Sequence, residues 1–384
     1  MQLRNFDTHA FLRDIWQKRP LLIRNPWDDW SNPLEPDELA GLACEEGIEA
    51  RLVTAAAGDW KVETGPLAED RFETLGDRDW TLLVQAVDHC VPDVAALIEP
   101  FRFIPDWRID DVMVSFAADG GGVGPHFDQY DVFLIQGLGT RRWEFGTRCD
   151  ETSPLHAHDQ LRLLADFQPV ETFVLEPGDI LYLPPGVSHN GVGIGSECMT
   201  YSIGFRAPSR SELIAHFCDH VLAGLDDDDR YEDRFDQPDS TTRTNPGEIT
   251  GREIANLHAM VLEKMQDREA FGRWFGEYVS SPKYPDESRE PEEPVDIEAV
   301  EALLNEGAVM CRNPASRFAF IREGDGAVLL FVDGEGHRCT GEAAGLAIRL
   351  CAEPAIEPGP LSSDALALLA RLHNDGSIAF ETGC

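Results

Sequence analysis

The stretch His126-Phe127-Asp128-Gln129-Tyr130-Asp131-Val132-Phe133-Leu134-Ile135-Gln136-Gly137-Leu138-Gly139-Thr140-Arg141-Arg142-Trp143-Glu144-Phe145 decides how this chain folds. It opens with two metal-ligating residue types. It continues as two apolar, β-branched and aromatic runs around a Gly-containing turn, the pattern of a hairpin. Side chains at i and i+2 of a strand share a face, so His126 and Asp128 can grip one ion from one strand. A lone H-x-D is weak. A P-G-D turn, a short apolar strand and Pro184-Pro185-Gly186-Val187-Ser188-His189 make it specific by adding a second imidazole. Two imidazoles and one carboxylate are the ligand set of a non-heme Fe(II) oxygenase, which leaves positions open for co-substrate and oxygen.

With Gly137–Thr140 as the hairpin loop, Gln136 pairs with Arg141, and paired residues share a face. Arg141 then points at the metal and Arg142 away. A planar guanidinium near the iron suits a dicarboxylate co-substrate, which it can hold bidentately. A register slip of one residue would exchange the two arginines, and a solvated strand end is the plainer alternative for both.

Around this stretch the chain changes grammar several times. Helices fit Asp7–Gln17, Pro36–Ala43 and Val84–Pro100, and Pro20–Arg24 fits a strand. Short strands at Val112–Ala117, Thr172–Leu175, Ile180–Leu183 and Met199–Phe205, separated by Gly/Pro turns, indicate a jelly roll over residues 1–207 with its N-terminal preface. Residues 208–281 read as three amphipathic helices. Ser211 is the expected cap of the first, and stripes such as Ile254, Leu257, Val261 and Phe271, Trp274, Phe275 mark the others. Stripes with little to cover suit a homodimer. His216 and His220 could bind zinc at i, i+4, but no further ligand is placed nearby, so surface or core histidines are the simpler reading. Residues 282–294 are a charged, proline-rich linker. Residues 295–384 alternate helix and hairpin in the manner of a winged helix.

Net charge is −38, and only four of the 32 basic residues are lysines. Such acidity attracts basic partners and repels phosphates, although a high-salt or GC-rich host would favour it as well. Residues 295–384 hold six Arg, no Lys and 14 Asp plus Glu, which argues against direct nucleic-acid contact and for protein docking. No apolar run is long enough to span a membrane, and no secretory pattern opens the chain. Nine scattered cysteines without C-x-x-C spacing suit reduced thiols, so a cytoplasmic location is expected.

His126-Phe127-Asp128-Gln129-Tyr130-Asp131-Val132-Phe133, the G-x-G-x-R-R-W segment and Pro184-Pro185-Gly186-x-x-His189 resemble JmjC-type 2-oxoglutarate oxygenases. Trp16–Arg24 and Tyr201–Pro208 extend the resemblance to bacterial ribosomal oxygenases, which hydroxylate an arginine of a large-subunit ribosomal protein. The resemblance implies a mixed α+β chain: a double-stranded β-helix of the cupin type, a helical dimerisation region and a C-terminal winged helix. It implies Fe(II) on His126, Asp128 and His189. It also implies 2-oxoglutarate with its distal carboxylate on Arg141, helped by Ser115 or Thr200, and O2 as the second co-substrate. A substrate arginine on a basic ribosomal protein wants a carboxylate and an aromatic face, for which Asp111 and Tyr130 are the candidates. The alternatives are another JmjC hydroxylase or demethylase, and a non-catalytic cupin-like scaffold.

Overall fold

A computed structural model of the chain describes residues 3–56, 58–226, 228–232 and 245–381. Most of the acidic loop expected between Asp226 and Asp239 lies outside the described residues. The chain forms two compact units. One comprises Met1–Ala207, Pro282–Arg317 and Glu353–Cys384, the other Pro208–Ser281 and Phe318–Ala352.

In the first unit, α1 (Thr8–Asp14) starts at Asp7, whose carboxylate accepts the N–H of Ala10 at 2.9 Å. Then come β1 (Leu21–Ile23), α2 (Pro36–Leu42) and a hairpin of β2 (Ala50–Ala56) and β3 (Asp59–Thr64) that the sequence reading lacks. The short α3 (Glu69–Glu73) and β4 (Trp80–Val84) follow. The single helix expected over Val84–Pro100 does not form. Ala86 adopts φ +50°, 3-10 turns cover Val87–His89 and Ala96–Phe101, and only α4 (Pro92–Ala95) is α-helical between them. Pro92 cannot sit in a helix interior. The Asp88 and Asp111 carboxylates also tie this turn to the next strand, accepting the N–H groups of Val112 at 2.8 Å and Ala86 at 2.9 Å.

The barrel is built from β5 (Ile109–Ala117), β6 (Asp131–Arg148), β7 (Glu171–Leu175), β8 (Ile180–Leu183) and β9 (Val187–Phe205). Strand order is β1-β8-β6-β9-β5-β4-β2-β3, with β7 also on β6. The expected hairpin at Gly137–Thr140 is absent: β6 runs straight through it, antiparallel to β9 from Asp131↔Phe205 to Arg148↔Val187. In place of a turn there is a register shift. Gln136 pairs with Thr200, Leu138 with Met199 and Thr140 with Ile194. Gly139, at φ +59°, would drive a Cβ into the Glu197 carbonyl, so this irregularity requires glycine.

The shift reverses the alternation of β6. Val132 and Leu134 before it, and Trp143 and Phe145 after it, share one small core with Leu175, Leu181 and Leu183. Phe133 and Ile135 face the other way, into a larger core with Phe11, Tyr182 and Phe205. Gln136 and Arg141, an odd number of residues apart, thus end on the same inner face.

After the barrel come α5 (Arg210–Ala223), α6 (Gly251–Met265) and α7 (Arg268–Ser280). The cap of α5 is Ser209 rather than Ser211, because only Ser209 lies three residues before Glu212 and completes a capping box with it. The remaining elements are α8 (Ile297–Asn305), β10 (Val309–Arg312), β11 (Phe318–Arg322), β12 (Val328–Val332), β13 (Glu335–Cys339), α9 (Gly341–Ala352), β14 (Ala355–Ile356), α10 (Ser363–Asn374) and β15 (Ile378–Glu381). In the second unit α7 and α9 pack on the β11-β12-β13 sheet, and Phe331 fills the space that a side chain at position 276 would occupy. In the first, α8 and α10 accompany the β14-β10-β15 sheet. Residues 295–384 therefore contribute to both units.

Candidate active site

His189 stands on β9 opposite Phe145, so its side chain shares that residue's inward face. His126 is joined to it by an isolated bridge: His126 N–H reaches His189 O at 2.9 Å, and His189 N–H reaches His126 O at 2.8 Å. The strand expected to carry both His126 and Asp128 is not formed. Residues 127–130 are irregular, and Asp128 is placed instead by its carbonyl, which accepts the N–H of Gly186 at 2.7 Å. The P-P-G turn thus positions the carboxylate as well as the second imidazole.

The ligand atoms of His126, Asp128 and His189 lie within 4.8 Å of one another, and no other such cluster of three exists among the described residues. Asp128 Oδ2 is 4.0 Å from His126 Nε2 and 3.6 Å from His189 Nε2. Each imidazole directs Nδ1 at a backbone carbonyl, Gly124 O and Val187 O, both at 2.9 Å. That fixes the proton on Nδ1 and leaves the Nε2 lone pair for a cation. Burial, then the nearby His126, pushes the His189 pKa down to about 4, so the ring is neutral and ready to ligate at neutral pH. This donor set fits a divalent first-row metal with open positions.

Deeper in the barrel, three neighbouring strands align one polar row. Gln136 on β6 pairs with Thr200 on β9, which pairs with Ser115 on β5. Arg141 crosses this row at 4% exposure. Its Nη1 donates to Ser115 Oγ at 3.1 Å and Thr200 Oγ1 at 3.3 Å, and Nη2 donates to Gly191 O at 3.4 Å. Thr200 Oγ1 donates to Gln136 Oε1 at 3.2 Å. The guanidinium lies 5.0 Å from the Trp143 ring centre, and a Cβ at Gly191 would strike both Trp143 and Arg141 Nε. Nε has no partner, and among the described residues no carboxylate pairs with Arg141. Burial pulls the Arg141 pKa down. A buried guanidinium with hydroxyls around it and no anion fits a carboxylate-bearing small molecule. Arg142 points outward and pairs with Glu144 at 3.3 Å, 43% exposed.

Tyr130 is 43% exposed and Asp111 is buried. The Tyr130 hydroxyl hydrogen-bonds Asp128, and burial followed by the charges of Asp128 and Asp111 pushes its pKa well above the usual range. Asp111 is buried, accepts the Ala86 N–H and pairs with Lys283 at 2.9 Å. Trp143 and Gly191 are site residues without a role assigned from sequence, and Gln136 was placed on the inner face but given no role. The polar Gln136 ending an apolar run was the available signal. His216 and His220 are exposed, with ring contacts to Tyr278 and Phe217, and among the described residues they join no cluster of three ligands.

Residues 96–213 match the JmjC domain family and residues 263–379 the ROXA-like winged helix. The ribosomal protein uL16 3-hydroxylase of Escherichia coli is 40% identical over 97% of each chain. A probable ribosomal oxygenase of Haemophilus influenzae is 39% identical over 71% of this chain and 67% of its own. The solved structure of the E. coli ribosomal oxygenase YcfD with cobalt and 2-oxoglutarate superposes with a TM-score of 0.85, at 38% identity and 99% coverage of both chains.

Proposed function

This chain belongs to the JmjC-type ribosomal oxygenases and is a 2-oxoglutarate-dependent dioxygenase; we propose that it hydroxylates an arginine side chain of the large-subunit ribosomal protein uL16. The observation that carries the reading is the pairing of a three-ligand metal corner with a buried, anion-free arginine inside one barrel. His126 and His189 hold Fe(II) through Nε2 and Asp128 through its carboxylate. Arg141 takes the distal carboxylate of 2-oxoglutarate, with Ser115 and Thr200 orienting the guanidinium from below. When bound, Fe(II) with 2-oxoglutarate and O2 supplies an oxidant able to hydroxylate an unactivated C–H bond, releasing succinate and CO2. The protein's share is placement and dryness: Val132, Leu134, Trp143 and Phe145 wall the interior against water. Asp111 and Tyr130 receive the substrate guanidinium, the first by charge and the second by its ring face.

The net charge of −38 supports a basic ribosomal partner and opposes direct nucleic-acid contact by the acidic winged helix. Exposed apolar side chains on α5 and α6, such as Leu222, Ile254 and Val261, support a homodimer through these helices. Among the described residues no helix is long and apolar enough to cross a membrane. A ribosomal substrate supports a cytoplasmic location.

The test supplies the purified chain with Fe(II), 2-oxoglutarate, O2 and a ribosomal preparation, and reads peptides by mass spectrometry. The expected product is a uL16 arginine peptide heavier by one oxygen atom, with matching succinate. Loss of a methyl group would identify a demethylase instead. No 2-oxoglutarate turnover under any of these conditions would identify a scaffold.

A further inference from the structure

Asp110 and Asp111, at the start of β5, lie outside both the metal ligands and the Arg141 pocket, yet they bind the linker that follows α7. In a regular strand these neighbours would face opposite ways. Here β5 and β9 lose register between Ile109 and Val112, and a bulge re-aims side chains. Both carboxylates consequently reach one ammonium: Lys283 Nζ is 3.2 Å from Asp110 Oδ2 and 2.9 Å from Asp111 Oδ2. Asp110 is fully engaged, because Oδ1 also takes Arg317 Nη2 at 3.0 Å and Arg206 Nε at 3.7 Å. Asp111 Oδ2 additionally accepts the Ala86 N–H at 2.9 Å. Asp111 Oδ1 has no protein donor among the described residues, and Asp111 lies on β5, the strand that carries Ser115 of the Arg141 pocket.

Lys283 is one of only four lysines in an arginine-rich chain. A compact ammonium with three donors can bridge two carboxylates side by side, whereas the flat fork of arginine favours one. The linker is pinned nearby by the Tyr284 hydroxyl on Glu49 at 3.3 Å and by Arg289 on Ser316 Oγ at 3.0 Å.

We propose that Lys283 is a positioning residue of the substrate site: by clamping Oδ2 of Asp111 against Asp110, it keeps Oδ1 as the acceptor for the incoming cationic side chain. The inference rests on the arginine substrate and the role of Asp111 argued above. Residues 282–294 then serve the active site as well as linking parts of the chain.

The test uses the full chain loaded with cobalt and 2-oxoglutarate, as wild type, Lys283→Met and Lys283→Arg. Each is titrated calorimetrically with an arginine-containing uL16 peptide and with the same peptide carrying citrulline, the neutral isostere. Wild type prefers arginine by at least about tenfold, the value of one charge-assisted hydrogen bond. Lys283→Met loses most of that preference, Lys283→Arg retains a substantial part, and all three bind 2-oxoglutarate alike. A Lys283→Met chain that keeps the full preference overturns the role of Lys283 and leaves the arginine reading standing. A wild type indifferent to the exchange overturns both. Should Lys283→Met fail to bind 2-oxoglutarate, and so fail to fold, Lys283→Gln is read by the same criteria.

Discussion

The barrel interior and the α5–α6 helices break the same rule in opposite directions. The barrel buries what water should solvate: Arg141, Ser115, Thr200, Gln136 and His189 all lie inside. The helices expose what water should exclude, with Ile254 at 57%, Val261 at 61% and Leu222 at 64%. Buried polar groups without a full set of partners, and apolar stripes without cover, both cost free energy in the isolated chain. In the barrel the completing groups are a cation and a dicarboxylate; on the helices we propose a second protein surface.

The strongest way to break the comparison is Asp128→Ala, which removes the one anionic ligand of the metal corner. Substrate-dependent succinate formation should disappear, and turnover near the wild-type rate would remove the metal from the account of the two imidazoles. Next comes Arg141→Ala set against Arg142→Ala. Loss of one partner of a buried charge pair costs roughly 3–5 kcal/mol, so the 2-oxoglutarate requirement of Arg141→Ala should rise at least about a hundredfold. Arg142, half-buried on the opposite face and paired with Glu144, should change it less than about threefold. Steady-state kinetics with varied 2-oxoglutarate decides between them, and equal effects would refute the anion pocket.

The helical half is tested by Ile254→Asp combined with Val261→Asp. Light scattering should show dimer giving way to monomer, with the circular-dichroism helix content kept. A wild type that is already monomeric would leave these stripes to another partner. The smallest effect sharpens the contrast by using a buried polar group whose partner is internal. Asp88 is 5% exposed, accepts the Val112 N–H at 2.8 Å, and burial pushes its pKa up to about 7. A raised pKa means the folded state holds the proton more tightly. Its stabilising contribution is present below the ordinary carboxylate range and is lost as pH rises through about 7. Asp88→Asn should therefore raise the melting temperature by several degrees at pH 8, on the order of a few kcal/mol, and leave it unchanged near pH 4. A uniform shift across pH would assign the effect to packing.

Much of the site could be read from the chain because its chemistry is short-range in sequence. Residue type and spacing name His126, Asp128 and His189, and the alternation of apolar residues in Val132–Gln136 announces a strand with a buried face. The placement of Arg141 on the inner face illustrates the limit. The sequence reading reaches it through a hairpin, whereas the structure reaches it through a register shift at Gly137–Gly139 inside one continuous strand. Both devices restore the same face, since each reverses the alternation once. Which one forms is decided by the partner strand β9, far away in sequence, because hydrogen bonds along the ladder reward continuous pairing of Asp131–Arg148 more than a local turn.

Residue type, motif spacing, periodicity and composition determined that this chain holds a metal-binding jelly roll, a helical segment with apolar stripes and an acidic C-terminal region. Tertiary structure alone decided the hold on Asp128 by Gly186, the row Gln136–Thr200–Ser115 beneath Arg141, and the clamp of Lys283 on Asp110 and Asp111. The physical reason is common to all three. Each is an interaction between segments remote along the chain, and register and burial, set only when the sheet closes, determine which polar atoms meet and which are left for a ligand.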